Sequence, residues 1–348
     1  MKNLSQFNPS NKPVCSVCIA NYNGIKFIDN CIKSICDQSC LFNVEIIIHD
    51  DASIDGSAEY IRNNYPFVKL MQSKQNVGFC ISNNRMAKEA KGDFLLLLNN
   101  DAILFPDALE SLYNYSQNHD HNCILGLPQY NAETNELIDI GSTFDFFLNA
   151  VPNKDIHHSD IGMVIGACLW ISKSLWDDIG GFPEWFHTLA EDMYLCCMVR
   201  LKGFGVEVIP YSGFYHWVGT SIGGGKILKN RLSTLIPRRA LSERNKSYVM
   251  FLCYPSPLFH LLFSAHILLL LIEGILLSFI KRDSNLLFAI YLFTIKSLWR
   301  KRDFLIRLRK KYQKQRSVRA YYFFKPFNVI PYKLQMLIKY GIPDIKQR

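Results

Sequence analysis

Polar side chains that could bind a nucleotide and a metal ion follow three short apolar runs of the sequence. They lie at residues 21–24 (Asn-Tyr-Asn-Gly), 50–57 (Asp-Asp-Ala-Ser-Ile-Asp-Gly-Ser) and 99–101 (Asn-Asn-Asp). Hard cations such as Mg²⁺ and Mn²⁺ take one or two carboxylates from a protein and complete their coordination with substrate phosphate oxygens. The third segment is therefore a candidate cation site that includes the carboxylate of Asp101.

The elements that must position these segments alternate between strand and helix. Five consecutive apolar residues, 94–98, predict a strand that is buried on both faces. Such alternation is typical of a mostly parallel sheet covered by helices, in which ligands bind at the carboxyl ends of the strands. We therefore expect the three polar segments to converge at one edge. The predicted strands are 14–20, 44–48, 68–72 and 94–98, and the predicted helices are 27–40, 58–64 and 81–90.

Each polar segment taken alone also has an ordinary structural interpretation. Asn-Tyr-Asn-Gly is common turn chemistry, residues 50–57 could form a loop and a helix cap, and residues 99–101 could end a strand. Their matching positions at three strand ends favour the functional interpretation. Cys15 and Cys18 have the spacing of a zinc-ligand pair, but they lie in a predicted strand and lack convincing partners. The eleven cysteines are therefore interpreted as thiols in a reducing compartment.

The order and spacing of the motifs resemble glycosyltransferase family 2 over about residues 14–223. Residues 17–24, 45–57, 76–84 and 99–101 look like four donor-side motifs of that family. The resemblance implies the GT-A fold, an α/β fold with a Rossmann-like, mostly parallel central sheet flanked by helices. It also implies an inverting transferase that uses a nucleotide-diphosphate sugar. Asn99 replaces the first aspartate of the family's Asp-X-Asp metal motif, a departure also seen in rhamnosyltransferase-like branches.

The resemblance assigns donor-side roles to individual residues. Acidic residues of the second motif are expected to contact the base and ribose, and the 76–84 segment is expected to lie under the nucleotide. Asp101 is the expected ligand of Mn²⁺ or Mg²⁺, and His216 is expected to approach the metal or the diphosphate. The expected donor-binding and nucleotide-binding residues are Ala20, Asn21, Tyr22, Asn23, Asp50, Asp51, Asn76, Gly78, Asn84, Asn99 and Asn100.

A second group of motifs, between residues 162 and 223, resembles the family's acceptor half. Glu191 and Asp192 are expected to open a helix at the active site, with Asp192 as general base and Glu191 as an orienting group. General-base catalysis of this kind contributes about 10²–10⁴-fold. The alternative is that the two acids only stabilise a helix N-terminus. The further acceptor-side residues are Gly166, Ala167, Arg200 and Trp217, and a glycine-rich loop at 217–225 could close over a substrate.

Charge divides the chain into an acidic body and a basic tail. Residues 1–280 carry 21 Lys and Arg against 27 Asp and Glu, whereas residues 281–348 carry 18 against 3. The apolar segment 258–280 is long enough to span a bilayer, but it carries His266 and Glu273 on one helical face. These features favour helices that lie on the cytoplasmic face of the cell membrane over a true span or a soluble helical domain. An anionic membrane surface is therefore an expected partner.

The predicted organisation is an N-terminal tail at 1–12, a GT-A catalytic domain at 13–235 and a helical, basic, membrane-associated region at 236–348. Within the catalytic domain, residues 13–105 form the nucleotide-sugar half and residues 106–235 the acceptor half. The expected donor is a UDP- or dTDP-sugar. The expected acceptor is a glycan or lipid-linked glycan of cell-surface polysaccharide, such as capsule or lipopolysaccharide. The sequence does not predict an oligomeric state.

Other functional classes fit the sequence less well. With 49% apolar and 20% charged residues the chain is globular, which excludes wholesale disorder. A nucleic-acid-binding protein would explain the basic tail, but no binding module is recognisable, so no nucleic acid is expected. A nucleotidyltransferase would need a glycine-rich, lysine-containing opening loop, which is missing, and neither Gly-x-Ser-x-Gly nor the P-loop motif occurs. An inactive transferase fold stays open because of Asn99.

Overall fold

The computed structural model of the protein describes residues 12–118, 122–217, 226–228 and 231–347. In these residues the strands are β1 (Cys15–Asn21), β2 (Val44–Asp50), β3 (Lys69–Gln72), β4 (Phe94–Asn99), β5 (Ala102–Leu104), β6 (Ile124–Gly126), β7 (Gln129–Asn131), β8 (Leu137–Asp139), β9 (Thr143–Asp145), β10 (Ala150–Val151), β11 (Cys168–Ser172), β12 (Val206–Val208), β13 (Phe214–His216), β14 (Lys226–Leu228), β15 (Arg231–Leu235), β16 (Phe327–Asn328) and β17 (Asp344–Lys346).

The helices of the described residues alternate with the strands in the first half of the chain and follow one another in the second half. A 3₁₀ helix lies at Glu184–Phe186 and a π-helix at Leu287–Leu292. The α-helices are α1 (Ile28–Cys36), α2 (Ser57–Asn64), α3 (Phe79–Glu89), α4 (Ala108–Asn118), α5 (Lys173–Ile179), α6 (Glu191–Leu201), α7 (Ile236–Cys253), α8 (Leu258–Lys281), α9 (Phe293–Arg300), α10 (Arg302–Lys314), α11 (Ala320–Phe324) and α12 (Tyr332–Tyr340).

The chain divides into two compact units. The first contains the residues up to 142 together with 152–199 and 204–217, and the second contains 143–151, 200–203 and the residues after 217. The second unit thus borrows a short segment from the middle of the chain, which supplies β9 and β10. The candidate site described below lies in the first unit.

A seven-stranded sheet forms the centre of the first unit, in the order β12-β6-β11-β4-β1-β2-β3. All its neighbouring strands run parallel except β11, which is antiparallel to both β4 and β6. The mostly parallel sheet predicted from the alternation of strands and helices is therefore present. Strand β4 is central and its residues 94–98 are buried, as the unbroken apolar run predicts.

The register of the central strands brings the polar segments to one edge. Ala20 of β1 is aligned with Asn99 of β4 on one side and with His49 of β2 on the other. Asn21 is aligned with Asp50. Because parallel strands in this register end at the same level, the segments that follow them leave the sheet together. The expected convergence of the three polar segments is confirmed.

Two predicted helices differ in length from those observed, for local reasons. Helix α1 buries Ile28, Ile32 and Ile35 on one face but ends at Cys36 instead of residue 40. There the Gln38 side chain donates hydrogen bonds to the carbonyls of Ser34 and Phe105, which fixes the chain in a loop. Helix α3 begins at Phe79, two residues before the predicted start, directly after its N-cap residue Gly78 (φ 93°).

A second, four-stranded sheet in the first unit has the order β5-β13-β7-β8. Strand β13 pairs antiparallel with β5, so that His216 is aligned with Ala102. Ala102 directly follows Asp101, and the pairing therefore carries His216 from far along the chain to the end of β4.

Helices dominate the second unit. Its hydrophobic core includes Ile236 and Ala240 of α7, Leu270 and Leu277 of α8, and Tyr291 of the π-helix. Helix α8 has 24 residues, with a mean hydropathy of 2.2 over its most apolar 18-residue stretch, of which 22% is buried. Among the described residues it is the one helix long and apolar enough to cross a membrane. All eleven cysteines are thiols and form no disulfide, and all except Cys36 are buried.

Candidate active site

Asn21, at the end of β1, is the centre of the hydrogen bonds that join the three polar segments. Its Nδ2 donates to Asp50 Oδ2 and to Ser57 Oγ, each at 2.9 Å. Its Oδ1 accepts a hydrogen bond from Asn100 Nδ2 at 2.9 Å. The buried amide of one residue thus holds the strand end, the acidic loop and the Asn-Asn-Asp segment in a fixed arrangement.

Asp50 and Asp51, at the end of β2, accept hydrogen bonds from backbone amides of the neighbouring loops. Asp50 Oδ1 accepts from the Ser53 amide at 3.1 Å. Asp51 accepts from the Val77 amide at 2.7 Å and the Gly78 amide at 2.8 Å, one on each carboxylate oxygen. Both aspartates are buried. The structure therefore brings the second and third predicted motifs together through Asp51.

The loop after β1 presents its side chains outwards. Tyr22 is 53% exposed, and Asn23 adopts a left-handed conformation with φ of 51°. Asn23 is fixed by its amide, which donates to Ser53 Oγ, and by its Oδ1, which accepts from the Ile54 amide, both at 2.9 Å. The exposed side chain of Tyr22 and the half-buried Ala20 are thus held at the edge of the site by a rigid loop.

Asp101 and His216 form the pair that the sequence proposes for a metal. His216 Nε2 lies 3.1 Å from Asp101 Oδ1 and 3.3 Å from Asn99 Nδ2. The Gln129 Nε2 group donates to His216 Nδ1 at 2.9 Å. In the tautomer whose Nδ1 accepts from Gln129, Nε2 carries the ring hydrogen and is able to donate it to Asp101. Both side chains are buried, so this arrangement is well fixed.

Asp101 and His216 fit a divalent cation that takes its remaining ligands from a diphosphate, because Mg²⁺ and Mn²⁺ are commonly held by one or two protein ligands. In the part of the chain that the structure describes, no group of three His, Cys, Asp or Glu side chains could hold a metal. Cation binding at His216 Nε2 requires the other tautomer, in which the Gln129 side-chain oxygen accepts the Nδ1 proton.

Asp192 reaches the same edge of the sheet from the N-terminus of α6. Its Oδ2 accepts from the Gly166 amide at 3.0 Å, and its Oδ1 accepts from its neighbour's amide, Met193 N, at 2.7 Å. The next residue, Ala167, accepts from the Asn99 amide at 3.0 Å. A short chain of hydrogen bonds therefore connects Asp192 to the residue that precedes Asn100 and Asp101. The structure thus brings together Asp192, Gly166 and Ala167.

The remaining predicted residues lie around this centre. Trp217 donates from its backbone amide to the Asp101 carbonyl at 3.2 Å, and its ring contacts Phe27. Glu191 is buried beside Asp192 at the start of α6, and Asn76 is exposed in the loop before Gly78. Residues 218–225, 229 and 230, which include most of the predicted glycine-rich loop, lie outside the described residues.

Asn84 and Arg200, predicted on the donor and acceptor sides, make structural hydrogen bonds to other parts of the chain. Asn84 Nδ2 donates to the Phe182 carbonyl and its Oδ1 accepts from the Phe182 amide, both at 2.9 Å, so its amide fastens a turn. Arg200 donates to the carbonyls of Tyr322 and Phe323 in the second unit. It lies nine residues beyond Glu191 in the same helix, about 13 Å along the axis at about 1.5 Å per residue. The observed contacts of Arg200 are therefore with the C-terminal residues Tyr322 and Phe323, and its acceptor-side role stays a prediction.

Three residues of this region were not predicted as site residues. Gln129 sets the orientation of His216, and nothing in its sequence context marks it. Gly24 lies so close to the Asn21–Asn100 bond that a Cβ atom there would be 2.1 Å from Asn21 Oδ1. His187 packs against Gly78, where a Cβ atom would lie 2.2 Å from its Nδ1. Of these three residues, Gly24 is the one that the sequence marks, because it directly follows Asn-Tyr-Asn.

Comparison with known proteins finds a family that matches a long stretch of the first unit. The family described as Glycosyl transferase family 2 matches residues 16–180. A cholesterol galactosyltransferase of Borreliella burgdorferi is 36% identical over 102 residues, which cover 28% of this chain and 28% of that protein. A chondroitin synthase of Pasteurella multocida is 35% identical over 101 residues, 28% of this chain and 10% of that protein. The chain spans less than half the length of the curated relatives that it matches.

The fold is shared with a solved glycosyltransferase. The crystal structure of GalNAc-T7 with UDP, GalNAc and Mn²⁺ superposes with a TM-score of 0.55 and 17% identity, covering 70% of this chain and 49% of that one. The likeness shows the fold, and the expectation of a GT-A architecture followed by a C-terminal helical region is confirmed.

Proposed function

We propose that this protein, whose residues 16–180 form a glycosyltransferase family 2 domain, is an inverting glycosyltransferase that moves a sugar from a UDP- or dTDP-sugar to a lipid-linked glycan. The observation that carries the proposal is the hydrogen-bonded path from Asp192 through Gly166 and Ala167 to Asn99. It sets a carboxylate beside the end of β4, where the candidate cation ligand Asp101 emerges. A base and a diphosphate site side by side are what an inverting transfer requires.

Asp192 acts as the general base in this proposal. Its carboxylate accepts the proton of the acceptor hydroxyl while that oxygen forms a bond to the anomeric carbon. The bond from the anomeric carbon to the diphosphate oxygen breaks on the opposite face, and the diphosphate leaves with the electron pair. The transition state resembles an oxocarbenium ion, and no covalent enzyme intermediate forms. The two backbone amides that bind Asp192 fix the direction of its oxygens.

Asp101 and His216 would hold the divalent cation, Mn²⁺ or Mg²⁺, which supplies charge stabilisation to the departing diphosphate. Only 3% of the surface of Asp101 and 6% of that of His216 is exposed, so their positions are set before a donor binds. Asn99 contributes an amide next to His216 and not a second carboxylate. This is the pattern of the rhamnosyltransferase-like branch, and a deoxyhexosyl donor is therefore included among the candidate substrates.

The donor nucleotide is proposed to lie over the loops that Asn21, Asp50 and Asp51 connect. The ordered Asn23 loop and the exposed Tyr22 side chain are available to a base. Asp51 holds the Val77–Gly78 turn, which would support the ribose and diphosphate from below. Asn76, Asn84 and Asn100 complete the proposed donor side, Asn84 by fastening the turn at Phe182.

The acceptor and the location are proposed from the second unit. Helix α8 exposes a continuous apolar face, including Leu261, Leu268, Ile275 and Phe279. Residues 281–348 add a net charge of +15. Apolar side chains beside a basic segment suit the interface of an anionic membrane, where each Lys or Arg adds about 1 kcal/mol. An enzyme bound there would meet a glycan carried on a lipid diphosphate at the cytoplasmic face.

The test of the proposal is the Asp192→Asn variant, assayed for sugar transfer and for donor binding. We expect turnover to fall at least about 100-fold, because the amide cannot accept the proton. Donor affinity should stay within about twofold, because the amide keeps the size of the side chain. The matched control is Asp37→Asn at the exposed C-terminus of α1, which should behave as wild type. Near-normal turnover of the Asp192 variant would refute the assignment.

A further inference from the structure

A strained segment leads into α6 and the candidate base. His187 follows the 3₁₀ helix with φ of 69° and ψ of −62°, the rare γ-turn with positive φ. Leu189 and Ala190 also have positive φ, at 71° and 64°. Side chains other than glycine rarely adopt such conformations, and they concentrate at functional sites where the surroundings enforce them. Three of them in the four residues before Glu191 and Asp192 point to a segment whose shape serves the site.

The imidazole of His187 packs directly on the donor-side loop. A Cβ atom built on Gly78 would lie 2.2 Å from Nδ1, 2.6 Å from Cε1 and 2.9 Å from Cγ of His187. The ring therefore covers the space that any side chain at residue 78 would need. Gly78 itself donates from its amide to Asp51 Oδ2. His187 thus touches the loop that Asp51 holds.

Backbone hydrogen bonds hold His187 in this position. Its carbonyl accepts from the Cys80 amide in the first turn of α3 at 3.1 Å, and its own amide donates to the Glu184 carbonyl at 3.1 Å. The same segment is fastened to α3 a second time through Asn84 and Phe182. Two attachments therefore fix the backbone of this segment relative to α3.

The ring nitrogens of His187 are available to a ligand. The residue is exposed, and its imidazole has no hydrogen bond to any side chain or backbone group of the described residues. A neutral imidazole offers one N–H donor, and a phosphate oxygen is a strong acceptor for it. The imidazole of His187 is therefore an exposed potential donor beside Gly78, in the segment that leads to Asp192.

We infer that His187 binds the diphosphate of the donor by donating a hydrogen bond from its imidazole. The inference rests on the proposed function, because it assumes that a nucleotide-diphosphate sugar lies over the Asp51–Gly78 loop. The residue acts as a donor-binding side chain and also as the contact that joins the donor loop to the segment carrying Asp192. The role is separate from that of Asp101 and His216, which lie at the end of β4.

The experiment compares His187→Phe, His187→Ala and wild type by calorimetric titration with a nucleoside diphosphate and with the corresponding monophosphate. Uridine and deoxythymidine nucleotides serve as the probes. Phenylalanine keeps the ring that packs on Gly78 but removes the N–H. We expect both variants to bind the diphosphate about tenfold more weakly and the monophosphate within about twofold of wild type. His158→Phe, at an exposed histidine elsewhere in the first unit, is the matched control and should change neither affinity.

The outcomes separate this inference from the proposed function. If the Phe variant binds the diphosphate as wild type does while only the Ala variant is weaker, the ring acts by packing alone and the inference is wrong. Equal weakening of diphosphate and monophosphate binding would also overturn it, because the contact would then lie elsewhere on the nucleotide. If folded wild type binds no nucleotide, the proposed function fails and the inference fails with it. Circular dichroism establishes that each variant is folded.

Discussion

At the scale of single residues, Gly24 shows how tightly the hydrogen-bond network of the site is packed. A Cβ atom there would lie 2.1 Å from Asn21 Oδ1 and 2.2 Å from Asn100 Nδ2, the two atoms of one hydrogen bond. We expect Gly24→Ala to break that bond, weaken nucleotide binding about tenfold and destabilise the fold by about 1–3 kcal/mol. Calorimetric titration and thermal unfolding measure the two effects.

Gly166→Ala is the control for the stability part of that prediction. A methyl group at Gly166 would meet Asp192 Cβ at 3.4 Å, an ordinary contact distance. Its melting temperature should therefore stay close to that of wild type. If Gly24→Ala and Gly166→Ala are equally stable, a side chain at residue 24 does not disturb the Asn21–Asn100 hydrogen bond, and the prediction is wrong.

The raised pKa of Asp139 leads us to expect that the stability of the fold depends on pH. Burial raises the pKa of this carboxyl to about 6, although the Asn153 amide and the Ser142 hydroxyl donate hydrogen bonds to it. Between the ordinary pKa of about 3.9 and pH 6 the folded state holds more protons than the unfolded state. The contribution of Asp139 to the free energy of unfolding is therefore present at low pH and is lost as the pH rises through 6. The expected loss is about 2–3 kcal/mol, at about 1.4 kcal/mol per pKa unit.

Asp139→Asn removes this titration. The free energy of unfolding of the variant minus that of wild type should grow between pH 4 and pH 7, as measured by urea unfolding at each pH. The difference between the two proteins is the relevant quantity, because other groups titrate equally in both. A difference that is constant over this range would contradict the raised pKa.

Residues whose chemistry is local are recognisable in the sequence, whereas residues whose role depends on distant contacts are not. Asn21, Asp50 and Asp101 were recognisable because they directly follow apolar strands. Gln129 and His187 were not, because one acts through His216, 87 residues away, and the other through Gly78. The observed contacts of Arg200 could not be foreseen either, since Tyr322 and Phe323 approach it only in the folded chain.

At the scale of secondary-structure elements, a partly buried charged cluster joins α7, α8 and α12, with Glu243 and Lys246 as its buried members. Lys333 of α12 donates to Glu243 of α7 at 2.5 Å and to Glu273 of α8 at 2.7 Å. Lys246 pairs with Glu243 at 2.7 Å, and Arg239 with Glu273 at 2.5 Å. The cationic partners hold the pKa of both carboxyls below the ordinary value although burial opposes this. The cluster fixes the packing of the three helices.

Removing the charge of Glu243 tests this role. Glu243→Gln leaves Lys246 buried without its carboxylate, and breaking a buried ion pair in this way costs about 3–5 kcal/mol. We expect a loss of that size in the free energy of unfolding, measured by denaturant titration. The control is Lys346→Met, which removes the exposed pair with Asp344 and should cost less than about 1 kcal/mol. A loss below 1 kcal/mol for Glu243→Gln would contradict the structural role of the cluster.

The elements themselves were largely predictable, and their partners were not. The apolar run of β4 and the periodic patterns of α1 and α3 predict the correct element types in the correct order. His266 and Glu273, which share one helical face in the sequence pattern, both contact α7: His266 bonds to Ser247 Oγ at 2.8 Å, and Glu273 accepts from Arg239 at 2.5 Å. Lys333, 60 residues beyond Glu273, could not be identified as its partner because the pairing depends on how the helices pack.

At the scale of the whole molecule, the proposed membrane binding would depend on the outward face of α8 and on the charge of the tail. Phe279 is 83% exposed and Leu261 69% exposed, although both are large and apolar. We expect Phe279→Glu and Leu261→Glu each to reduce flotation with anionic vesicles at least about fivefold, because a carboxylate disfavours the interface and repels the lipid headgroups. Raising the salt concentration should weaken the binding of wild type.

Leu41→Glu provides the matched control for vesicle binding. Leu41 is 99% exposed but lies in the first unit, so its replacement should leave flotation unchanged. Equal loss in all three variants would indicate a general effect of added charge. Full retention of flotation in the two α8 variants would show that the outward face of this helix is not the attachment surface.

The sequence predicted the architecture of the molecule because strand order, apolar length and charge are properties of local segments. It did not predict that residues 143–151 join the second unit, since this depends on pairing of β9 with β16, nearly 200 residues away. The donor sugar is a property of side chains around a bound ligand, and motif spacing carries little information about it.

Calorimetric titration of the detergent-purified, full-length protein with a panel of nucleotide sugars, with and without Mn²⁺, tests the proposed function most directly. We expect one UDP- or dTDP-sugar to bind, at least about tenfold more tightly with Mn²⁺, and the Asp101→Ala variant to lose the effect of the metal. Absence of binding by any nucleotide sugar to the folded protein would contradict the proposed transferase activity. Binding that is indifferent to both Mn²⁺ and Asp101 would contradict the assignment of the cation site.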